Sequence, residues 1–453
     1  MFFPMFIIQG EKMSVLTFKQ GIHPEYHKEL TKEKPLRDAK RPQEVVIPLQ
    51  QHIGAPLEPL VEKGDHVKRG QKIGDAGGFV SAPVHASVSG EVKAIDNVRT
   101  PSGQKTLSII IEADEEDEVD DSLKPDKAIE DLTPEDIRHV VREAGIVGLG
   151  GAMFPTHVKL AVPDDKEVEY FILNGIECEP FLNVDNRMMI ERSSDIVEGM
   201  KLMMKAAGVE KGFIGIENNK PRAISNMKKA VEEEDNIDIE VFKTKYPQGG
   251  EKMLIKAALG REVPAGGLPL DVGCIVNNVA TAVAVFEAVN EGKPLIERTI
   301  TVTGEGIMEP CNLYYRIGTS IKDLIEEAGG FEGDPAKIIL GGPMTGSAQH
   351  STEVPTVKGT SGIIVLHKDS VAKFDPKPCI GCARCVDSCP MYLLPLKLSD
   401  LSQYERYDEL DEYNVQSCIE CGSCSYICPA DRPLLDYIRI GKMEDMKLKK
   451  SSQ

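Results

Sequence analysis

Tryptophan is absent from this sequence, and aromatic residues make up only 5% of it. No apolar run reaches the roughly 18 residues that a membrane-crossing helix needs, so no segment reads as such a helix. Positive charge is scarce too: 53 lysines and arginines stand against 72 aspartates and glutamates, a net charge of -19. Generic nucleic-acid binding needs a basic field over the contact surface and is excluded, so any bound nucleotide must be held by local groups. The opening MFFPMFIIQGEKM lacks a basic flank and a small-residue cleavage site, which argues against a signal peptide and for translation from Met13. What is present, 41% hydrophobic and 28% charged residues over 453 positions, suffices for several packed cores.

Eight of the eleven cysteines stand in two copies of one pattern. Cys379, Cys382, Cys385 and Cys389-Pro390 repeat as Cys418, Cys421, Cys424 and Cys428-Pro429, the spacing of bacterial two-cluster ferredoxins. Three thiolates at that interval wrap one face of a 4Fe-4S cubane, and the fourth points to the other cluster. The expected sets are therefore Cys379, Cys382, Cys385 and Cys428 for one cluster, and Cys418, Cys421, Cys424 and Cys389 for the other. A pair of zinc sites is the alternative, but zinc closes with four ligands and has no use for a repeated Cys-Pro. Metal-type spacing fits a reducing, cytoplasmic compartment. Cys178, Cys274 and Cys311 match no ligand spacing and read as small buried hydrophobes, and His85 as a turn or core residue. Clusters pass single electrons, so a hydride donor would require a two-electron carrier elsewhere in the chain.

The pattern predicts a multi-domain α/β protein. Short alternating stretches over residues 44–95 predict compact hairpins resembling the barrel-sandwich domains that carry lipoyl or biotinyl groups, without a lysine at the tip. Eight acidic residues within Glu112 to Asp121 predict a solvated, mobile connector. Thr133 followed by Pro134 predicts a helix cap, with the helix running to Ala144. Strand-like runs at 168–174, 211–217 and 237–243 alternate with helical patterns at 187–206 and 219–234, as in a largely parallel sheet. Strand, helix and strand from Arg298 to about Gly346 predict a β-grasp insert, followed by a helix-poor cysteine region and a disordered basic tail. The expected divisions are 14–112, the acidic linker 113–130, 131–297, 298–370, 371–440 and the tail 441–453.

Gly145 to Leu160, GIVGLGGAMFPTHVKL, concentrates glycine where a backbone must approach a ligand closely. This stretch resembles the flavin loop of the NADH-binding subunit of respiratory complex I. In order after it, ILNGIECEP, YPQGGEK and IVNNVAT are similar to that family's remaining flavin and nucleotide segments. The resemblance implies that Gly148, Gly150, Lys159, Asn174, Asn277 and Asn278 hold FMN. It also implies that Phe154, Glu179, Tyr246 and Glu251 shape the NAD(H) side, with Glu179 and Glu251 the catalytic candidates. Val147 and Leu149 replace two arginines of that family, Ile176 an aspartate and Gly250 an acidic residue.

The full layout, including FKQGIHPEYHKELT near the start, resembles the RnfC family, the C subunits of Rnf electron transport complexes. That family is the peripheral cytoplasmic part of an ion-translocating ferredoxin:NAD oxidoreductase. The resemblance implies membrane and peripheral partner subunits of the Rnf complex, with ferredoxin reached only through another subunit. Two alternatives stay open: a microcompartment cobalamin reductase with the same cofactors, and a flavin-free electron relay.

Overall fold

The computed structural model describes residues 15–122, 127–151, 153–371 and 375–451. The expected start at Met13 lies outside them. The first β unit is built of two small sheets, one ordered Glu44–Pro48, Lys105–Ala113, Gly90–Arg99, His66–Val67, and one of Glu58–Pro59, Lys72–Asp75 and Val84–His85. Alternation sorts its side chains: Val45 and Ile47 pair with Ile111 and Ile109, all buried, while Glu44 and Glu112 face out.

A four-stranded parallel sheet follows, ordered Ile237–Phe242, Lys211–Glu217, Tyr170–Gly175, Cys274–Asn278. Both faces are covered by helices, as parallel sheets require. Helix Pro134–Glu143 opens with a Thr133–Asp136 capping box and ends before Gly145, whose φ is 66°. The stretch expected as one helix over 187–206 is two, Val184–Glu191 and Ser193–Ala207. They break at Arg192, whose guanidinium leaves the helix axis to bond Asp195 and, at 3.0 Å, Glu287.

The β-grasp unit is larger than the sequence suggested. Its six-stranded sheet runs Leu36–Asp38, Cys311–Arg316, Glu297–Thr303, Gly362–His367, Pro335–Leu340, Ser347–Gln349, so the edge strand comes from far upstream. Helix Ile321–Glu327 packs on it through Ile321, Leu324 and Ile325.

Three expectations need correction. The acidic connector is a fixed strap among its described residues: Asp117 pairs with Arg316 and Arg69, Asp114 accepts from Ser89 at 2.6 Å, and Arg69 N donates to Glu118 O at 2.8 Å. Its charges find cationic partners that sequence separation had hidden. The cysteine region is not helix-poor, since Arg384–Ser388, Pro395–Gln403 and Ser423–Tyr426 are helical. Nor is the basic tail disordered, because helix Leu434–Ser451 continues through it. Leu434, Leu435 and Ile438 bury one face of that helix, and Lys449 pairs with Asp411 and Asp445.

A segment with little regular structure, Leu16 to Thr31, ties the units together. Leu16 bridges to Phe242, Ile22 to Tyr246, Gly21 N donates to Ser388 O in the cysteine region, and Asn312 Nδ2 of the β-grasp sheet donates to Thr31 O.

Candidate nucleotide and iron-sulfur sites

The parallel sheet reverses its winding between Tyr170–Gly175 and Cys274–Asn278, and ligands of such sheets bind at the strand ends beside that switch. Asn174 and Asn278 stand there in register. Asn278 caps the next helix, its Oδ1 accepting from Ala280 N at 2.8 Å, while its Nδ2 donates to Asp185 Oδ2 at 2.8 Å. Asn174 Nδ2 donates to Gly249 O at 2.8 Å. Burial pushes the Asp185 carboxyl above the usual carboxylate range.

The glycine loop lies over these residues. Gly148 N donates to Phe154 O at 2.9 Å, and Leu149 N to Thr281 Oγ1 at 3.1 Å, which pins the loop to the helix after Asn278. At Gly150 an added Cβ would sit 2.9 Å from Asn278 Nδ2, so only glycine lets the backbone come this near.

Between loop and strands lies a cleft of about 350 Å³, open to solvent. Of the residues expected from sequence, Gly150, Asn174, Glu179 and Asn278 line it. Glu177, Cys178, Asp185 and Gly249 join them, with Gly342 and Thr345 from the β-grasp unit and Pro101 from the first β unit. Beneath the wall two buried lysines hold the turn after Asn174. Lys28 Nζ donates to the carbonyls of Glu177 (3.0 Å), Glu179 (2.9 Å) and Leu182, and Lys220 Nζ to Ile176 O at 2.6 Å. Glu177 and Phe181 in this turn have φ of 47° and 68°, a left-handed conformation that needs such external support. Burial lowers the Lys28 ammonium and raises the Glu177 carboxyl, each partly offset by the other.

Gly148, Phe154, Lys159, Tyr246, Glu251 and Asn277 are not on the cleft wall. Lys159 Nζ pairs with Glu251 at 3.1 Å and donates to Val276 O at 2.6 Å. Asn277 is buried with neither amide atom partnered, and so is Gln248. Buried amides normally find partners, so these are orphaned groups that a bound flavin could satisfy. Tyr246 is buried, and its hydroxyl donates to Cys421 O at 2.7 Å, in the cysteine region. The pairing of Ile22 with Tyr246 fixes it in that direction.

Among the described residues no three ligand-type side chains meet at one point. The eight motif cysteines instead ring two separate cavities. Cys379, Cys382, Cys385 and Cys428 line one, together with Ile380, Gly381 and Pro429. Cys389, Cys418, Cys421 and Cys424 line the other, together with Pro390 and Gly422. Burial pushes the Cys418 thiol up to about 11 and Cys424 up to about 12, so iron's positive charge is what would make them thiolates. The first cavity is the exposed one, with Cys379 and Cys382 at the surface. The second lies toward the parallel sheet, since Cys421 packs against the buried cluster that contains Tyr246.

Sequence reasoning missed Lys28, Glu177, Asp185, Gln248 and Thr345. Lys28 lies in the quoted FKQGIHPEYHKELT, yet nothing in its spacing pointed to a turn 149 positions onward. Cys178, Cys274 and Cys311 are buried free thiols, and His85 is buried in a short strand.

The fold and the two cavity types define a flavin-type α/β protein joined to a two-cluster ferredoxin module. Family models match in the same order: an RnfC barrel sandwich hybrid domain over 16–116, a Nuo51 FMN-binding domain over 141–287, an SLBB domain over 299–348 and a 4Fe-4S dicluster domain over 372–429. The chain is 49% identical to the C subunit of the Na(+)-translocating ferredoxin:NAD(+) oxidoreductase complex of Acetobacterium woodii, covering 94% of this chain and 97% of that protein. It is 49% identical to the C subunit of the proton-translocating ferredoxin:NAD(+) oxidoreductase complex of Clostridium ljungdahlii, over 95% and 94%. Against the C subunit of the ion-translocating oxidoreductase complex of Rhodobacter capsulatus the identity is 44%, over 84% and 74%. The chain belongs to this RnfC family. Among solved structures, an NAD+-reducing [NiFe]-hydrogenase in the air-oxidized state covers 71% of the chain and 67% of its own at 18% identity, with a TM-score of 0.49.

Proposed function

We propose that this chain is the FMN- and NAD(H)-binding iron-sulfur subunit of an ion-translocating ferredoxin:NAD+ oxidoreductase. In this reading it is peripheral, at the cytoplasmic face of the membrane, and receives ferredoxin's electrons through partner subunits. The observation that carries the reading is the cleft at the sheet's switch point together with two four-cysteine cavities, the second tied to the same unit by the Tyr246 hydroxyl on Cys421 O. FMN in the cleft would supply the exchange between hydride chemistry with NAD(H) and single electrons with the clusters.

The chain's own residues bind and orient. Gly148 and Gly150 let the loop backbone come close, and Lys159 is the cation available to a phosphate once it exchanges Glu251 for it. Asn174 and Asn278 offer amides to the ring edge, with Asn278 held in one orientation by Asp185, while the unpartnered Asn277 amide lies off the cleft wall and is met where the flavin reaches past that wall. Glu179, and Glu251 when released from Lys159, are carboxylates that can accept from ribose hydroxyls, and Phe154 offers an apolar face. Tyr246 holds the Cys421 loop against the sheet. Unit boundaries near 112, 131, 298 and 371 belong to the same proposal. The barrel sandwich matched ahead of the flavin unit disfavours the cobalamin reductase alternative.

The test is an anaerobic preparation assayed for iron and acid-released flavin, then titrated with NADH. About eight iron atoms with FMN, bleached by NADH, are expected. Eight iron atoms with no flavin after FMN is supplied would leave only a cluster relay.

A further inference from the structure

We propose that Thr345 and the Met344 amide, on the β-grasp turn from Gly341 to Gly346, are positioning groups for Glu179, which makes the β-grasp unit part of the dinucleotide site. The inference rests on Glu179 being a nucleotide ligand, as proposed above.

Glu179 comes from the turn after the strand Tyr170–Gly175, yet its carboxylate is held by a different unit. Oε1 accepts from Thr345 Oγ1, and Oε2 accepts from Met344 N at 3.1 Å. The approach is close enough to require glycine two positions before Met344: an added Cβ on Gly342 would lie 2.1 Å from Oε2 and 2.4 Å from Cδ. The turn is itself fixed, with Gly346 N donating to Gly342 O at 2.9 Å and Gly341 N to Gly362 O at 2.8 Å.

A glutamate side chain on its own samples several staggered rotamers. Two donors from a rigid turn select one of them, and hydrogen bonds to a charged acceptor are the stronger kind. Each carboxylate oxygen keeps a further lone pair, so the fixed carboxylate can still accept from the hydroxyls of a ribose. Gly342 and Thr345 line the same cleft as Asn174 and Asn278, so the turn is where a dinucleotide bound beside the flavin would meet it. Glu179 thus acts on the ligand, and Thr345 acts through Glu179.

Thr345 is exposed, so Thr345→Val changes one hydroxyl at little risk to folding. The full chain, with iron and FMN contents verified, is compared as wild type, Thr345→Val, Thr345→Ser, Glu179→Gln and the Thr345→Val/Glu179→Gln double variant. NAD+ binding to the oxidised protein is measured by equilibrium dialysis, and KM and kcat for NADH with a dye acceptor. Thr345→Val is expected to weaken NAD+ binding and raise KM on the order of fivefold, the effect of one such hydrogen bond, with kcat near wild type. Thr345→Ser should restore both, and Thr345→Val should add nothing once Glu179 is Gln. Wild-type binding by Thr345→Val while Glu179→Gln is weakened overturns this inference alone, as does a fully additive double variant. Unchanged binding by Glu179→Gln overturns the nucleotide role of Glu179 and the inference with it.

Discussion

At Asn277 the buried amide has no partner on either atom, a condition that costs about 1–3 kcal/mol in the free protein. Replacing it by Leu, of similar volume, should therefore raise the melting temperature of the flavin-free chain while weakening FMN binding about tenfold. Thermal unfolding of apoprotein and a fluorescence titration with FMN read the two effects separately. A drop in melting temperature would mean that the amide is satisfied within the protein. The neighbouring Asn278 was as legible in the sequence as Asn277, but its tie to Asp185 was not, because the two lie 93 positions apart.

Among the elements, the Leu16 to Thr31 segment and the C-terminal helix each do more than their sequence suggested. Lys28 Nζ satisfies three carbonyls of the turn that forms the cleft wall. Lys28→Met leaves those carbonyls without that donor, at a cost on the order of 1–3 kcal/mol for each buried acceptor left unpaired. Hydrogen exchange should then quicken over residues 176–182, and unchanged protection there would remove Lys28 from its supporting role. The C-terminal helix reaches the second cysteine cavity: Lys442 Nζ donates to Cys418 O at 2.8 Å, and Gln416 Nε2 donates to Asp445 at 2.6 Å. A chain ending at Gly441 should thus lose the cluster of Cys389, Cys418, Cys421 and Cys424, so its iron content falls from about eight to about four. Full iron retention would show that the helix end is dispensable.

Across the whole molecule the units meet at Lys358. Its Nζ donates to Pro83 O of the first β unit and to Gly145 O of the α/β unit, both at 2.6 Å, from within the β-grasp unit. Burial pulls this lysine down to about 7, whereas an unfolded lysine holds its proton to about 10.4. Between those values the unfolded chain binds more protons than the folded one, so this group makes stability rise with pH by up to about 1.4 kcal/mol per unit. Below about 7 both states are protonated and the contribution is flat. Lys358→Met should accordingly flatten the rise in melting temperature between pH 7 and 9, whatever its effect on the absolute value. Equal slopes in the two proteins would assign the titration to another group.

The cysteine spacing and the four flavin-type segments were decided by sequence alone, because cluster ligation and close backbone approach depend on residue type at fixed local intervals. The strands at 211–217 and the Thr133 cap were legible for the same reason, since pattern and capping act over a few residues. Tertiary structure decided what depends on distant partners. It turned the acidic connector into a strap through Asp117 and Arg316, made the tail helical by burying Leu434 and Ile438, and set the Tyr246 hydroxyl on Cys421 O. It also brought Lys28 and Thr345, from opposite sides in the sequence, to the turn that carries Glu179. Such contacts have no local signature, because the free energy that fixes them is released only when separate units pack together.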